Sequence, residues 1–244
     1  MTTSAHATPR FEAEVAARFD LLEARFKDEV PADDVRLEAI LRHLGPIADR
    51  LVLDAGCGKG RFAARLAEHG ARILGLDPSA GMLRAAHRRG LPVARASARR
   101  LPLHNASIDA VMFVEVLEHM EIQGIMDSLR EAARALRPGG RVVIVDKNAA
   151  SLDPVRPWLP AVLVKRIDER RGRWMYPPGS RARERWFWPG QMRRWLRLAG
   201  FTNIRSEALL DPSERRSVAF RRVPMARRFV AWSATRPEEG GGPC

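Results

Sequence analysis

Two aspartates and a set of glycines are the first residues in this chain whose types and spacing could do chemistry. In "RLVLDAGCGKGRFAARLAEHGARILGLDPS", residues 50–79, an apolar run closes on Asp54. Gly56, Gly58 and Gly60 follow, and a second apolar run closes on Asp77. Glycines let the chain turn tightly and let a ligand approach main-chain atoms. An acid ending the second strand of a doubly wound sheet accepts hydrogen bonds from ribose hydroxyls. A dinucleotide loop reads G-x-G-x-x-G and holds a pyrophosphate on a helix N-terminus. Here the third glycine comes one place early and a carboxylate precedes the loop. That arrangement repels a pyrophosphate and suits a nucleoside carrying an ammonium and a sulfonium.

Such residues need a scaffold that brings several strand ends together. Phe11, Val15, Phe19, Leu22 and Phe26 recur at three- and four-residue steps and predict a helical cover over 10–44. From Arg50 the pattern changes. Strands are expected at 51–56, 72–77, 92–97, 108–116 and 141–147, and helices at 60–69, 79–90 and 121–136, the last ended by Pro138-Gly139-Gly140. Strands rich in Val, Ile and Leu that alternate with helices predict a parallel sheet covered on both faces, with ligands at the carboxyl ends of its strands. The alternation stops over 148–187 and resumes with a helix at 189–199. "TNIRSEALL" and "RRSVAFRRV", on either side of "DPSE", read as an edge hairpin. The expectation is a doubly wound, Rossmann-like α/β fold with a mainly parallel seven-stranded sheet, an antiparallel edge hairpin and an inserted lid. Its parts are a cover over 1–47, a cofactor-binding core over 48–147, the insertion over 148–187, a returning helix and hairpin over 188–228, and a tail over 229–244 that is disordered at its "EEGGGPC" end.

"VLDAGCGKG", "GLDPS", "LPLHNASIDAV", "EVLEH", "LRPGGRVVIV" and "LRLAGF" together resemble the class I S-adenosylmethionine-dependent methyltransferases, in the branch that includes ubiquinone and menaquinone biosynthesis enzymes. The resemblance covers residues 45–147 and 188–223. It implies S-adenosylmethionine as cofactor, with Asp54, Gly56, Gly58 and Gly60 lining its amino-acid part and Ala55 and Cys57 contributing backbone. Asp77, followed by Pro78, would hold both ribose hydroxyls, Met82 would pack near the adenine, and Ser97 with Ala98 would flank the adenine edge. Many relatives have Asp where this chain has Ser97, so adenine recognition departs here. "EVLEH" leaves three readings open. Glu115 and its neighbours line the cofactor pocket; or Glu118 and His119 act on the substrate; or Glu115, Glu118 and His119 hold a divalent cation, as this spacing does in the ubiquinone-type O-methyltransferases it resembles. The expected site has His119 and Glu118 as catalytic residues, Glu115 beside the cofactor, and no metal.

Methyl transfer from a sulfonium needs orientation and proximity, and a base only where the acceptor must lose a proton. Acceptor choice is expected in the insertion, which leaves the end of a strand directly over the pocket. There "RPWLPAVLVKRIDERRGRW" places Trp158, Leu159, Val162, Leu163 and Ile167 on one helical face. That face suits either a lid packed on its own domain or, through 155–175, an anionic membrane surface. Net charge is +13; residues 1–147 hold 22 basic and 20 acidic side chains, whereas 148–244 hold 20 and 9, together with all six tryptophans. A basic surface with aromatic rings could also take RNA. The Asp- or Asn-Pro-Pro-aromatic stretch of base-amino methyltransferases is missing after the fourth strand, where "EVLEH" stands instead. The expected activity is methyl transfer to a small-molecule or lipid-like acceptor, at a hydroxyl. RNA methylation is the alternative, and a non-catalytic cofactor-binding scaffold a third. Two cysteines, Cys57 and Cys244, form no disulfide framework, which points to a cytoplasmic protein, at most peripheral to the inner face of the membrane.

Overall fold

The computed structural model describes residues 7–238. The helical cover is two helices, α1 (Ala7–Leu22) and α2 (Val35–Leu44), separated by a 3-10 turn and an extended stretch. Asp34 caps α2 by accepting the Arg36 N–H, and Gly45 ends it at φ +71°. The core follows as β1 (Leu51–Ala55), α3 (Arg61–Glu68), β2 (Arg72–Asp77), α4 (Ala80–His87), β3 (Val93–Arg95), β4 (Ile108–Val114), α5 (Ile122–Ala135) and β5 (Leu136–Lys147). Next come α6 (Ala161–Arg170), α7 (Pro189–Leu198), β6 (Thr202–Leu209), α8 (Val218–Arg222) and β7 (Phe229–Thr235).

All seven strands form one sheet in the order β3-β2-β1-β4-β5-β7-β6. Pairings are parallel up to β5; β7 runs antiparallel to both β5 and β6. Alternation along the strands splits the core into two layers. Val142 and Ile144 of β5 join Val230 and Trp232 of β7 against α5 and α7. Val143 and Val145 join Phe229 and Ala231 against α2 and α3. The parallel strands therefore all deliver their carboxyl ends to one edge, where the site is built.

Two expectations need correction. The edge hairpin exists, but its second strand is Phe229–Thr235 rather than "RRSVAFRRV", which folds into α8 with Phe220 buried beneath it. The reason is that β7 lies between β5 and β6 with both edges paired, while α2 and α7 pack against its two faces. A strand there must be apolar on both sides, and "FVAWSAT" is. The segment 215–223 would bury Arg215, Arg216, Arg221 and Arg222. The expected tail from 229 is thus a core strand, with Trp232 fully buried and its indole N–H on the Pro189 carbonyl at 3.1 Å. The end of that tail, with Cys244, lies outside the described residues. Second, Pro138-Gly139-Gly140 does not follow the helix as a loop but sits inside β5, at a bulge against β4.

The segment 148–187 leaves β5 and returns across the strand ends, with Phe187 bridging to Asn148. Its helix α6 turns Ala161 and Lys165 inward. Trp158 is 73% exposed, Leu163 47% and Ile167 40%, whereas Leu159 and Val162 of the same face are half-buried. Among the described residues no helix is long and apolar enough to cross a membrane.

Candidate active site

A cavity of about 620 Å³ opens where β1, β2, β4 and β5 end, roofed by α1 and residues 173–175. The glycine loop forms one wall. Gly56 has φ +85°, and a Cβ there would lie 2.6 Å from the Val116 side chain. Gly58, at φ +52°, has open space where a Cβ would be, leaving its backbone approachable. Its N–H donates to Asp77 Oδ2 at 2.9 Å, and the Ser79 N–H donates to Oδ1 at 2.8 Å. Ser79 in turn caps α4 by accepting from the Met82 N–H, which fixes the turn carrying Asp77.

The two aspartates are buried and face the cavity. Burial, reinforced by Asp77, pushes the Asp54 carboxyl up to about 8. Burial raises Asp77 to about 6, against the pull of the Ser79 and Gly58 N–H groups. The Asp54 side chain accepts no hydrogen bond among the described residues. A buried carboxyl without a partner fits a ligand ammonium, and Asp77 at the end of β2 fits a pair of hydroxyls. Burial likewise raises the Cys57 thiol, which keeps it unreactive.

The opposite wall is built at the ends of β4 and β5. Glu115 has φ +56°, a left-handed conformation for a non-glycine residue. The Lys147 ammonium reaches Glu118 at 2.5 Å, Glu184 at 3.0 Å and Glu115 at 3.3 Å. Arg36 pairs with Asp34 and with the other oxygen of Glu115. Burial alone would raise Glu118; Lys147 and His119 outweigh it and hold the carboxyl well below its ordinary range. Asp146, fully buried beside it, is pushed well up by burial and by the Glu118 charge. His119 places Nε2 3.3 Å from Glu118 and Nδ1 3.1 Å from the Tyr176 hydroxyl, while Phe19 packs edge-on against its ring. An ionised Glu118 only accepts, so Nε2 carries the proton; Nδ1 is then the basic lone pair and Tyr176 donates to it.

Of the residues expected from sequence, Asp54, Gly56, Cys57, Gly58, Asp77, Pro78, Met82, Ala98, Glu115, Glu118 and His119 all line the one cavity. Three do not. Ala55 is in the core, Gly60 packs against Leu91 and Ala86, and Ser97 turns to accept the Arg99 N–H at 3.1 Å. Sequence reasoning missed Lys147, Glu184, Tyr176 and Arg36. It also missed the clasp on the glycine loop, in which Lys59 holds the Phe26 carbonyl, Asp28 and Glu23 at 2.8–3.1 Å. The only advance signal was "DK" closing an otherwise apolar strand.

A fold of this topology with paired acids at the ends of β1 and β2 defines a nucleoside-binding transferase of the Rossmann-like type, and comparison with known proteins makes that specific. The family model described as a methyltransferase domain matches residues 53–144. Ubiquinone biosynthesis O-methyltransferase of Yersinia pestis (strain Pestoides F) is 30% identical over 196 residues, 77% of this chain and 76% of the relative. The enzyme of that name from Serratia proteamaculans (strain 568) is 29% identical over 198 residues, 78% of each. The chain belongs to the class I S-adenosylmethionine-dependent methyltransferases. Similar solved structures include a Thermotoga maritima SAM-dependent methyltransferase described as a possible histamine N-methyltransferase (TM-score 0.62, 23% identity, 93% of this chain and 97% of that one). Another is Haemonchus contortus phosphoethanolamine N-methyltransferase 2 in complex with S-adenosyl-L-methionine (TM-score 0.61, 19% identity, 83% and 52%). The cofactor is S-adenosylmethionine, and the unpartnered Asp54 together with the open backbone at Gly58 fits it.

Proposed function

We propose that this methyltransferase acts on a hydroxyl of a small-molecule or lipid-like acceptor, with His119 as the base. The observation that carries the reading is His119 on the cavity wall, its Nε2 proton held toward Glu118 and Nδ1 left basic. When bound, S-adenosylmethionine supplies a methyl group on a sulfonium that leaves as a neutral thioether. Asp54 holds the cofactor ammonium and Asp77 its ribose, while Met82 and Ala98 border the base. An acceptor hydroxyl that replaces Tyr176 as donor gives its proton to Nδ1. Glu118 then faces an imidazolium, which its negative charge stabilises, as an orienting acid does in a triad. Phe19, Phe26 and Met175 supply an apolar roof that excludes water.

The acceptor's class is tested by incubating the protein with methyl-labelled cofactor and an extract split into lipid, aqueous small-molecule, RNA and protein fractions. Label in the lipid or small-molecule fraction is expected; label in RNA alone would overturn the reading in favour of nucleic acid. On the acceptor so found, His119→Ala should lower kcat by about 10²- to 10⁴-fold. An unchanged kcat removes His119 as base.

The partner surface we assign to 155–175 is an anionic membrane. What supports it is the outward set of Val155, Trp158, Leu163 and Ile167 beside Arg156, Arg166 and Arg170. The protein should sediment with phosphatidylglycerol vesicles and lose this with Trp158→Asp plus Leu163→Asp; recovery of the unaltered chain in the supernatant would sink the assignment.

A further inference from the structure

Glu115, Glu118 and His119 have the spacing of a divalent-cation site, and their surroundings decide whether they form one. They do not fit. The centre that carboxylates from the residue after β4, from the 3-10 turn Leu117–His119 and from the segment 148–187 would offer a metal is taken by the Lys147 ammonium. That ammonium meets three carboxylates at 2.5–3.3 Å, through a hydrogen bond to Glu118 and ion pairs to Glu115 and Glu184. The imidazole Nε2 is also taken, by Glu118 at 3.3 Å. Among the described residues no group of three or more His, Cys, Asp or Glu side chains is disposed to hold a metal ion.

We infer that Lys147 is a built-in cation standing where a divalent ion would otherwise sit, so that this chain neither needs nor binds a metal between Glu115, Glu118 and Glu184. The charge arithmetic supports the exchange. Three acids converge in a buried space, and a buried charge left without a partner is strongly destabilising. A covalently held ammonium on the last residue of β5 supplies the missing charge without ligand exchange. It also ties Glu184, which carries the indole N–H groups of Trp174 and Trp186 at 2.8 and 2.6 Å, to the core. The segment 148–187 is thereby fastened over the cavity by an ion pair. The inference holds whichever acceptor atom is methylated, because its test reads metal binding rather than turnover.

The test uses terbium, a hard cation whose emission is sensitised by a nearby indole, here Trp174 and Trp186. The unaltered chain should give no saturable sensitised emission, and its melting temperature should not move with added magnesium or calcium. Lys147→Ala removes the ammonium and leaves space among three carboxylates. Its melting temperature should fall by about 10 °C. Calcium should restore most of that loss, and terbium should now bind saturably. A Glu184→Gln change in the same background should weaken the new terbium site. Saturable terbium binding or magnesium-dependent melting in the unaltered chain overturns the inference, a result that does not depend on the variant folding. A folded Lys147→Ala protein that ignores both metals overturns it as well.

Discussion

The two walls of the cavity treat buried carboxyls in opposite ways. On the glycine-loop side, Asp54 and Asp77 are pushed up to about 8 and about 6 because burial outweighs the weak pull of Arg61 on Asp54 and of the Ser79 and Gly58 N–H groups on Asp77. On the β4–β5 side, the half-buried Glu115 and the buried Glu118 are held below their ordinary range, Lys147 with Arg36 outweighing the cost of burial at the first and Lys147 with His119 at the second. The first wall waits for a positive ligand; the second carries its own. A binding site can thus be told from a structural ion cluster by asking where the counter-charge comes from.

Breaking the self-contained wall should have the largest effect. Glu118→Ala removes the shortest contact to Lys147, the partner of the His119 Nε2 and the neighbour of buried Asp146. Loss of one member of a buried, paired set costs about 3–5 kcal/mol, measurable by chemical denaturation. Glu118→Gln keeps the shape and should cost less. If both variants unfold at the denaturant concentration of the unaltered chain, the cluster contributes nothing net and the contrast between the walls fails.

The waiting wall should respond to pH and ligand instead. Asp54, at about 8 when folded against an ordinary 3.8, keeps a proton where the unfolded chain has lost it. Stability of the cofactor-free protein therefore falls as pH rises from about 4 to about 8. Asp77 adds to the same slope between 3.8 and about 6. Cofactor binding must remove the Asp54 proton to gain an ammonium–carboxylate pair. The dissociation constant should accordingly tighten with rising pH, by up to about tenfold per unit below pH 8. Calorimetric titration in buffers from about pH 6 to about pH 8 checks this, with proton release as a second readout. Asp54→Asn should flatten the profile while leaving the free protein no less stable, since no charge remains to be buried. A profile equally steep in Asp54→Asn would move the titration elsewhere.

How far the sequence foretold this molecule follows from which forces each region uses. The strand–helix alternation and the glycine loop were legible because they are local: apolar runs, acids at their ends, glycines where φ must be positive. The second strand of the edge hairpin was not. Its identity depends on β7 being inserted between β5 and β6, a long-range fact that selects "FVAWSAT" over the arginine-bearing candidate nearer in sequence. Lys147 was invisible for a similar reason. Its partners Glu115, Glu118 and Glu184 come from distant stretches, and no spacing rule joins a strand-end lysine to an acid 37 positions on. Tyr176 and Trp174 belong to a segment without periodicity, placed by ion pairs and ring contacts rather than by a repeating pattern.

The smallest expected effect concerns a residue that the family resemblance put at the adenine edge. Ser97 is half-buried, does not line the cavity and spends its hydroxyl on the Arg99 N–H, whereas Ala98 next to it does face the pocket. Ser97→Ala deletes one partly solvated hydrogen bond, worth about 0.5–1.5 kcal/mol of stability at most. Because Ser97 does not line the cavity, affinity should change by less than about twofold, well under the 1.4 kcal/mol that marks a tenfold change. Installing the acid that many relatives carry, Ser97→Asp, should likewise fail to tighten binding while the Arg99 N–H captures the new carboxylate. A tenfold change in cofactor affinity with either variant would show that this turn rotates on binding. It would then join the ligand-waiting wall described above.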